Sequence, residues 1–478
     1  MTAIRSTVYF GSLLALSFQL AACGSEDEPR AGLTGDVCTP DGASACEASL
    51  VCDPRADGSA YVCGEQAVIK GRVADALSGD ALAAGRVVVL GADGSPAADV
   101  AYTDADGRYS ARVTAPRNAD GSVADTAKWT LAVSARRYVP FPAGPRPALP
   151  ISATQMDAGV IQGPGTDVTL LPLASPELYG REISGTISSP SPGGTLVVAE
   201  GGFGVAPHAI ASRSGEFTIF NVPSGIFELA GYKRGQQLDR TSVDASEGSV
   251  IDALLTPSEL PLEGISGNVN IVNAPGGSLT SVVLVPESVF DTRLERGPIP
   301  FGLRAPGLPE APSVNGAFAF DQVPQGDYVV LAAFENDGLV RDPDTSIGGT
   351  TIQHVTVGVG ESGVMDQSFK VTEHLAILGP GAETPERVSG LPTFSWADDS
   401  SEDRYELELY TALGELVWEQ RAIPSGRGAS VDLSYAGPAL VAGMIYQFRV
   451  TSFRDGRGES TAISKSEDLR GVFEYRGE

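Results

Sequence analysis

One short strand occurs three times in this chain and frames the rest of it. Ile69-Lys70-Gly71-Arg72-Val73, Ile183-Ser184-Gly185-Thr186-Ile187 and Ile265-Ser266-Gly267-Asn268-Val269 place β-branched residues around a central glycine. Each is followed by a second β-branched run: Val87-Val88-Val89-Leu90, Leu196-Val197-Val198 and Val282-Val283-Leu284-Val285. Such residues fit pleated strands better than helices. The later two copies share more. Gly215-Glu216-Phe217-Thr218-Ile219 leads to Val222-Pro223-Ser224-Gly225-Ile226-Phe227. At a constant spacing of 101 residues, Gly316-Ala317-Phe318-Ala319-Phe320 leads to Val323-Pro324-Gln325-Gly326-Asp327-Tyr328. Alternating aromatics turn one strand face to a core, Pro-x-Gly reverses the chain, and the next aromatic re-enters the sheet. The first copy has a shorter version, Thr103-Asp104-Ala105-Asp106-Gly107-Arg108-Tyr109, with Trp129-Thr130-Leu131-Ala132-Val133 as the return strand.

Composition agrees. Gly 57 and Pro 33 in 478 residues suit short strands and tight turns, and a 42% hydrophobic content is enough for packed cores. The length suggests roughly three domains. A net charge of −27 repels phosphate backbones, which argues against a nucleic-acid partner. The expected fold class is all-β: a string of small β-sandwich modules behind a lipidated tether and a small disulfide-rich segment. The expected boundaries are 67–174, 181–256 and 262–374 for the three repeats, with a Pro- and Gly-rich insertion at 287–313 in the third. A different domain follows at 376–478. The linkers around 173–176, 256–261 and 378–382 are short and Pro-bearing, which makes the string semi-rigid.

The repeats resemble carboxypeptidase regulatory-like modules, β-sandwiches of the transthyretin-like kind. The likeness lies in I-x-G-x-V, V-x-V, D-x-x-G-x-Y and the strand ending near Arg137-Tyr138. The Asp before the glycine is absent from the second and third copies. The resemblance implies a fold and is nearly silent on activity, since such modules serve as scaffold, spacer or binding unit. In the last domain, Pro392-Thr393-Phe394-Ser395-Trp396, Tyr405-Glu406-Leu407-Glu408-Leu409-Tyr410 and Tyr446-Gln447-Phe448-Arg449-Val450 resemble strands of a fibronectin type III domain. In that family Tyr446 would be the tyrosine-corner residue.

Residues 1–22 read as an export signal: Arg5, then an apolar run from Val8 to Leu20 too short for a membrane span. Leu20-Ala21-Ala22-Cys23 resembles the bacterial lipobox, which implies acylation of Cys23, a membrane partner reached through that lipid, and a place in the cell envelope. The absence of Asp after Gly24 favours the outer membrane by the sorting rule of enteric bacteria. Residues 23–36 then form a charged tether. Residues 37–66 carry Cys38, Cys46, Cys52 and Cys63 in the spacing C-x7-C-x5-C-x10-C. In an exported chain this implies two disulfides, with three pairings open. A metal site is disfavoured, because no C-x2-C pair and no nearby His occur.

Catalytic signals are sparse, and we assign no catalytic residue, metal or cofactor. His208, His354 and His374 are the only imidazoles and fall in separate segments. Gly358-Val359-Gly360-Glu361-Ser362-Gly363 matches a nucleotide fingerprint literally. A strand-like run follows it where a phosphate-binding helix is required, so it reads as a hairpin turn. Asp104 and Asp106 could begin a calcium loop, yet the twelfth position is Ala115, so a turn is expected. Trp129, Trp396 and Trp418 read as core residues. Tyr138 and Phe141, just past a strand end, are the candidates for an exposed glycan-binding platform. The function expected from all this is a non-enzymatic envelope scaffold, structural or adhesive. Its partner would be a glycan or an envelope protein. Carbohydrate presentation is the second reading, and an enzyme site in the insertion the third.

Overall fold

The computed structural model describes residues 31–477, apart from 41–44, 144–147, 149, 164, 174–175, 202–203, 272–279, 293–295, 309, 312, 335–351, 361–362, 366–368, 372–373, 384, 399–401, 412–415, 427, 459 and 467–469. Cys23, the export signal and the start of the tether lie outside the described residues. Helix among the described residues is limited to three short 3-10 segments, Ala153–Gln155, Pro176–Leu178 and Glu287–Val289. None of them is long and apolar enough to cross a membrane.

The same two-sheet topology is built three times. In the first repeat Ala67–Asp75 pairs antiparallel with Arg108–Val113 on one side and parallel with Val160–Ile161 and Val168–Leu170 on the other. In the second, Arg181–Ile187 stands between Glu216–Val222 and the parallel strand Val250–Leu255. In the third, Glu263–Ile271 stands between Ala317–Val323 and the parallel strands Gly363–Val364 and Phe369–Val371. The facing sheets repeat as well. Their orders are Ala101–Tyr102, Arg86–Gly91, Lys128–Ser134, Ile151–Ser152; then His208–Ile210, Leu196–Glu200, Ile226–Tyr232, Thr241–Asp244; then Arg304–Ala305, Thr280–Pro286, Gly326–Phe334, Gln353–Val357.

The central glycine of the recurring strand leaves no room for a side chain in any of the three copies. In the first two the backbone on the parallel side lies over it, and in the third the Phe318 ring of the antiparallel partner does. At Gly71 a Cβ would overlap the Thr166 carbonyl, and at Gly185 the Ala253 carbonyl. At Gly267 it would lie 2.6 Å from the Phe318 ring and 3.1 Å from Met365 Cβ. Glycine lets the two backbones approach, and the flanking β-branched residues hold the strand. The 101-residue spacing is conformational too: Asn221 and Gln322 both occupy the left-handed region, at φ 61° and 55°. Just before them the pairing of the opening strand slips, between Arg181 and Ile183 and between Glu263 and Ile265.

The β-branched second strands are buried on both faces. In the second repeat Val197 and Ala199 face their own core, while Leu196 and Val198 belong to the core of the third. Thr280–Pro286 is buried along its whole length. A strand covered on both faces carries a continuous apolar run instead of an alternation. Each such Val or Leu contributes about 1.5–3 kcal/mol of burial, so the second and third repeats share one core. The insertion closes this joint. Its described residues bury Val289, Phe290 and Leu303 in the shared core. Ser288 accepts from the Ala206 N–H at 2.8 Å, and Phe301 accepts from the Arg234 N–H at 3.0 Å.

The last domain has one sheet of Ile377–Gly379, Thr393–Ala397 and Ser430–Ser434. The other runs Glu386–Val388, Val472–Tyr475, Ile445–Asp455, Arg404–Thr411, Leu416–Pro424. Trp396 and Phe394 are fully buried between them. Tyr446 is 2% exposed, and its hydroxyl accepts from the Val441 N–H at 2.8 Å, five residues upstream. This domain does not hang free: Leu171 of the first repeat is buried in its core, with Ala76 and Val139 against the same cluster.

The cysteine segment forms a three-stranded sheet, Val37–Cys38, Tyr61–Glu65 and Leu50–Pro54. Of the three open pairings, the structure has Cys38–Cys52 and Cys46–Cys63.

Candidate functional site

The surfaces where the repeats meet concentrate this molecule's unusual chemistry, and the same element makes each joint. The turn after the return strand of one repeat meets the left-handed residue of the next. At the first joint, Asn221 Nδ2 donates to the carbonyls of Ala135 (3.1 Å) and Tyr138 (2.8 Å), and its Oδ1 accepts from the Arg137 N–H at 2.7 Å. At the second, the Gly235 N–H donates to the Gln322 carbonyl at 2.8 Å. An ion pair flanks each contact. Arg136 Nη2 donates to Glu182 Oε2 at 2.8 Å, and Arg234 pairs with Asp321. The cysteine segment docks at the corresponding end of the first repeat through Arg117. That guanidinium is buried, paired with Asp53 Oδ2 at 2.6 Å and donating to the Glu65 carbonyl at 2.7 Å.

Further groups lock the joints. Arg213 of the second repeat donates to the Pro96 carbonyl at 3.0 Å, to the Ala97 carbonyl and to Thr114 Oγ1 of the first. Arg86 reaches the other way, donating to the Ile210 carbonyl at 2.8 Å, and burial holds its guanidinium pKa down. Between the second and third repeats, Glu200 accepts from the Tyr232 hydroxyl (2.6 Å) and the Ser288 hydroxyl (2.8 Å), and pairs with Arg240. Burial, then the Glu200 charge, push the Tyr232 phenol far above its ordinary range. Lys233 donates to the carbonyls of Ser191 (2.7 Å) and Gly193 (2.8 Å) and lies 5.4 Å from the Phe301 ring centroid.

A cleft of about 300 Å³ opens at the first joint. Leu82, Ala84, Tyr102 and Tyr138 of the first repeat form one wall, and Glu182, Thr218 and Phe220 of the second the other. Tyr102 is 57% exposed. Tyr138 donates its hydroxyl to Asp75 Oδ2 at 2.9 Å, and burial, then Asp75, push the phenol up to about 12. Burial alone would raise the Asp75 carboxyl. The N–H groups of Ser78 and Leu77 and the Tyr138 hydroxyl outweigh that and hold it below the ordinary range.

The expected platform of Tyr138 and Phe141 therefore takes another form. Both rings are half-buried and pack against the first repeat's core, and Phe141 is fixed by backbone bonds to Val133 at 2.7 Å in each direction. The ring offered to solvent at this place is Tyr102. The sequence held no direct sign of it, because its strand is two residues long.

The remaining candidates fall into local roles. Asp104 Oδ1 accepts from the N–H groups of Asp106 (2.9 Å) and Arg108 (2.8 Å), which makes a side-chain-closed turn. Gly358 to Gly363 connects the strands Gln353–Val357 and Gly363–Val364, with residues 361–362 outside the described set, and the Gly360 N–H donates to Glu263 Oε1 at 2.7 Å. His208 Nδ1 lies 3.0 Å from the Ala206 carbonyl, and burial pushes its pKa down. His354 Nδ1 lies 3.4 Å from Glu287. The only cluster of potential metal ligands among the described residues is Cys38, Cys46 and Cys52, whose sulfurs are in the disulfides.

No protein family matches this sequence, and no curated protein does. Several solved structures show a likeness. A point mutant of the shaft pilin SpaA from Lactobacillus rhamnosus GG is 11% identical, covering 41% of this chain and 100% of its own, with a TM-score of 0.18. Two B repeat units of the collagen-binding protein of Staphylococcus aureus are 11% identical, covering 86% and 99%, with a TM-score of 0.18. The minor pilin of Streptococcus agalactiae is 13% identical, covering 40% and 96%, with a TM-score of 0.17.

Proposed function

We propose that this chain is a non-enzymatic surface lipoprotein of the bacterial cell envelope, a structural or adhesive scaffold held by acyl chains on Cys23. The observation that carries the reading is the recurring joint. One docking element joins the first repeat to the second and the second to the third, a buried Arg117–Asp53 pair joins the cysteine segment to the first, and Arg136, Arg213 and Arg234 each cross from one repeat to the next. A body built this way transmits position and force along its length. The described part of the insertion, where an enzyme site would have to sit, packs Val289, Phe290 and Leu303 into a core.

The two family resemblances support the same reading. The parallel first and last strands in each repeat suit a regulatory-like module. The strand order of the last domain and the Tyr446 to Val441 bond suit a fibronectin-like one. Acyl chains hold the mature protein durably, since each buried CH₂ contributes about 0.8 kcal/mol. The outer membrane is the proposed address.

Metabolic labelling with a radioactive fatty acid in a bacterial host, followed by membrane fractionation, tests the anchor. The natural chain is expected to carry label and to sediment with the outer membrane. Cys23→Ala is expected to lose both. Label that persists in Cys23→Ala, or a natural chain recovered unlabelled in the soluble fraction, overturns the lipoprotein reading.

A further inference from the structure

The cleft at the first joint is built differently from the rest of the surface. Its walls come from two repeats, yet they are fixed before any ligand arrives. Asn221 ties the Ala135–Tyr138 turn to the second repeat. Thr103 Oγ1 donates to the Leu82 carbonyl at 2.5 Å and accepts from the Gly85 N–H at 2.7 Å, holding the other rim. Within that rim Ala84 sits in the left-handed region at φ 57°. The second repeat has Gly194, at φ 80°, in the same place two residues before the second strand. An alanine there carries backbone strain that a glycine avoids. Here its methyl lines a cleft, and strain kept against an available relief points to use.

The lining reads as a recognition surface for a particular chemistry. Tyr102 offers an exposed ring. Phe220 and Leu82 give apolar contact, and the Arg136–Glu182 pair sets a donor and an acceptor side by side at the edge. Sugars present a flat C–H face that stacks on an aromatic ring. Their vicinal hydroxyls accept from a guanidinium and donate to a carboxylate at the same time. An apolar peptide side chain leaves that ion pair unused. An anionic chain meets Glu182, Asp75 and a net charge of −27. A volume of about 300 Å³ lies at the small end for ligand sites, which fits one or two rings. We propose that this cleft binds one or two rings of a neutral glycan, Tyr102 stacking on the sugar and Arg136 with Glu182 gripping its hydroxyls. The proposal gives the adhesive role a ligand class and stands whether or not Cys23 is acylated.

The test uses the full chain in a sugar-free zwitterionic detergent. Glucose, galactose, mannose, N-acetylglucosamine and their disaccharides are titrated by saturation-transfer NMR, with glucuronate as the anionic counterpart. The expected result is saturable millimolar or tighter binding of at least one neutral sugar. Tyr102→Ala is expected to weaken it at least about tenfold, Tyr102→Phe to retain it, and Glu182→Gln to weaken it. Tyr102 is 57% exposed, but its side chain also hydrogen-bonds the buried Arg86, so the unfolding midpoint of each variant is measured alongside and binding is compared only between folded chains. The proposal is overturned if no neutral sugar saturates, if Tyr102→Ala and Glu182→Gln both bind like the natural chain, or if glucuronate binds more tightly than every neutral sugar. None of these outcomes touches the fatty-acid labelling that tests the anchor.

Discussion

Arg117 shows how a single side chain joins two units. Its guanidinium has one charged partner, Asp53, and carbonyl partners at Gly121 and Glu65. Breaking a buried pair from one side leaves a charge without compensation, at a cost of about 3–5 kcal/mol. Arg117→Ala is expected to lower the unfolding midpoint by that equivalent, as measured by urea unfolding. The double variant Arg117→Met with Asp53→Leu is expected to recover most of the loss, because no charge is left buried. At Asp75 the dependence is on pH. Folding holds its carboxyl below the ordinary value of 3.8, so the ionised form favours the folded state. The contribution is complete above pH 3.8 and is lost as the pH falls below that value through the folded one. The difference in thermal midpoint between the natural chain and Asp75→Asn is therefore expected to stay constant from neutral pH to the start of that window and to narrow below it. A difference that widens in acid would contradict the assignment.

At the scale of elements, the recurring strand is explained by what lies over its glycine. Gly185→Ala forces a methyl into the Ala253 carbonyl, where neither backbone can yield without breaking the parallel ladder. The expected outcome is loss of the second repeat's cooperative unfolding, at a cost of about 3 kcal/mol or more, read by hydrogen exchange over Arg181–Ile187 and Val250–Leu255. Much of this level was legible in the sequence. The three strands, the aromatic hairpins at constant spacing and the burial of Trp129 and Trp396 follow from local pattern, because residue type and period set strand and face, whereas Trp418, expected in the core, is only half-buried against it. The bulge over the glycine was not legible, since the partner strand lies 68 residues away in the second repeat and its offset leaves no periodic trace. The disulfide pairing was open for the same reason: spacing counts residues, and only the fold decides which sulfurs meet.

For the whole molecule, the sequence suggested short linkers and a semi-rigid string, whereas the rigidity comes from joints. One sign of this lay in plain view. Val282 to Val285 and Leu196 to Val198 are continuous apolar runs, and continuous runs ask for cover on both faces. The second cover is the neighbouring repeat. Asn221, Arg213 and Tyr102 carried no such sign, because a polar side chain at a joint and one on a free surface read alike. The return of the last domain to Leu171, Ala76 and Val139 is also beyond local reading. Small-angle X-ray scattering of the purified chain addresses the docked body most directly. The joints predict a profile that matches the docked arrangement, and a longer maximum dimension when Arg213→Ala and Asn221→Ala are combined. A natural chain whose scattering already has the long smooth tail of independent modules, unchanged by that double variant, would contradict it.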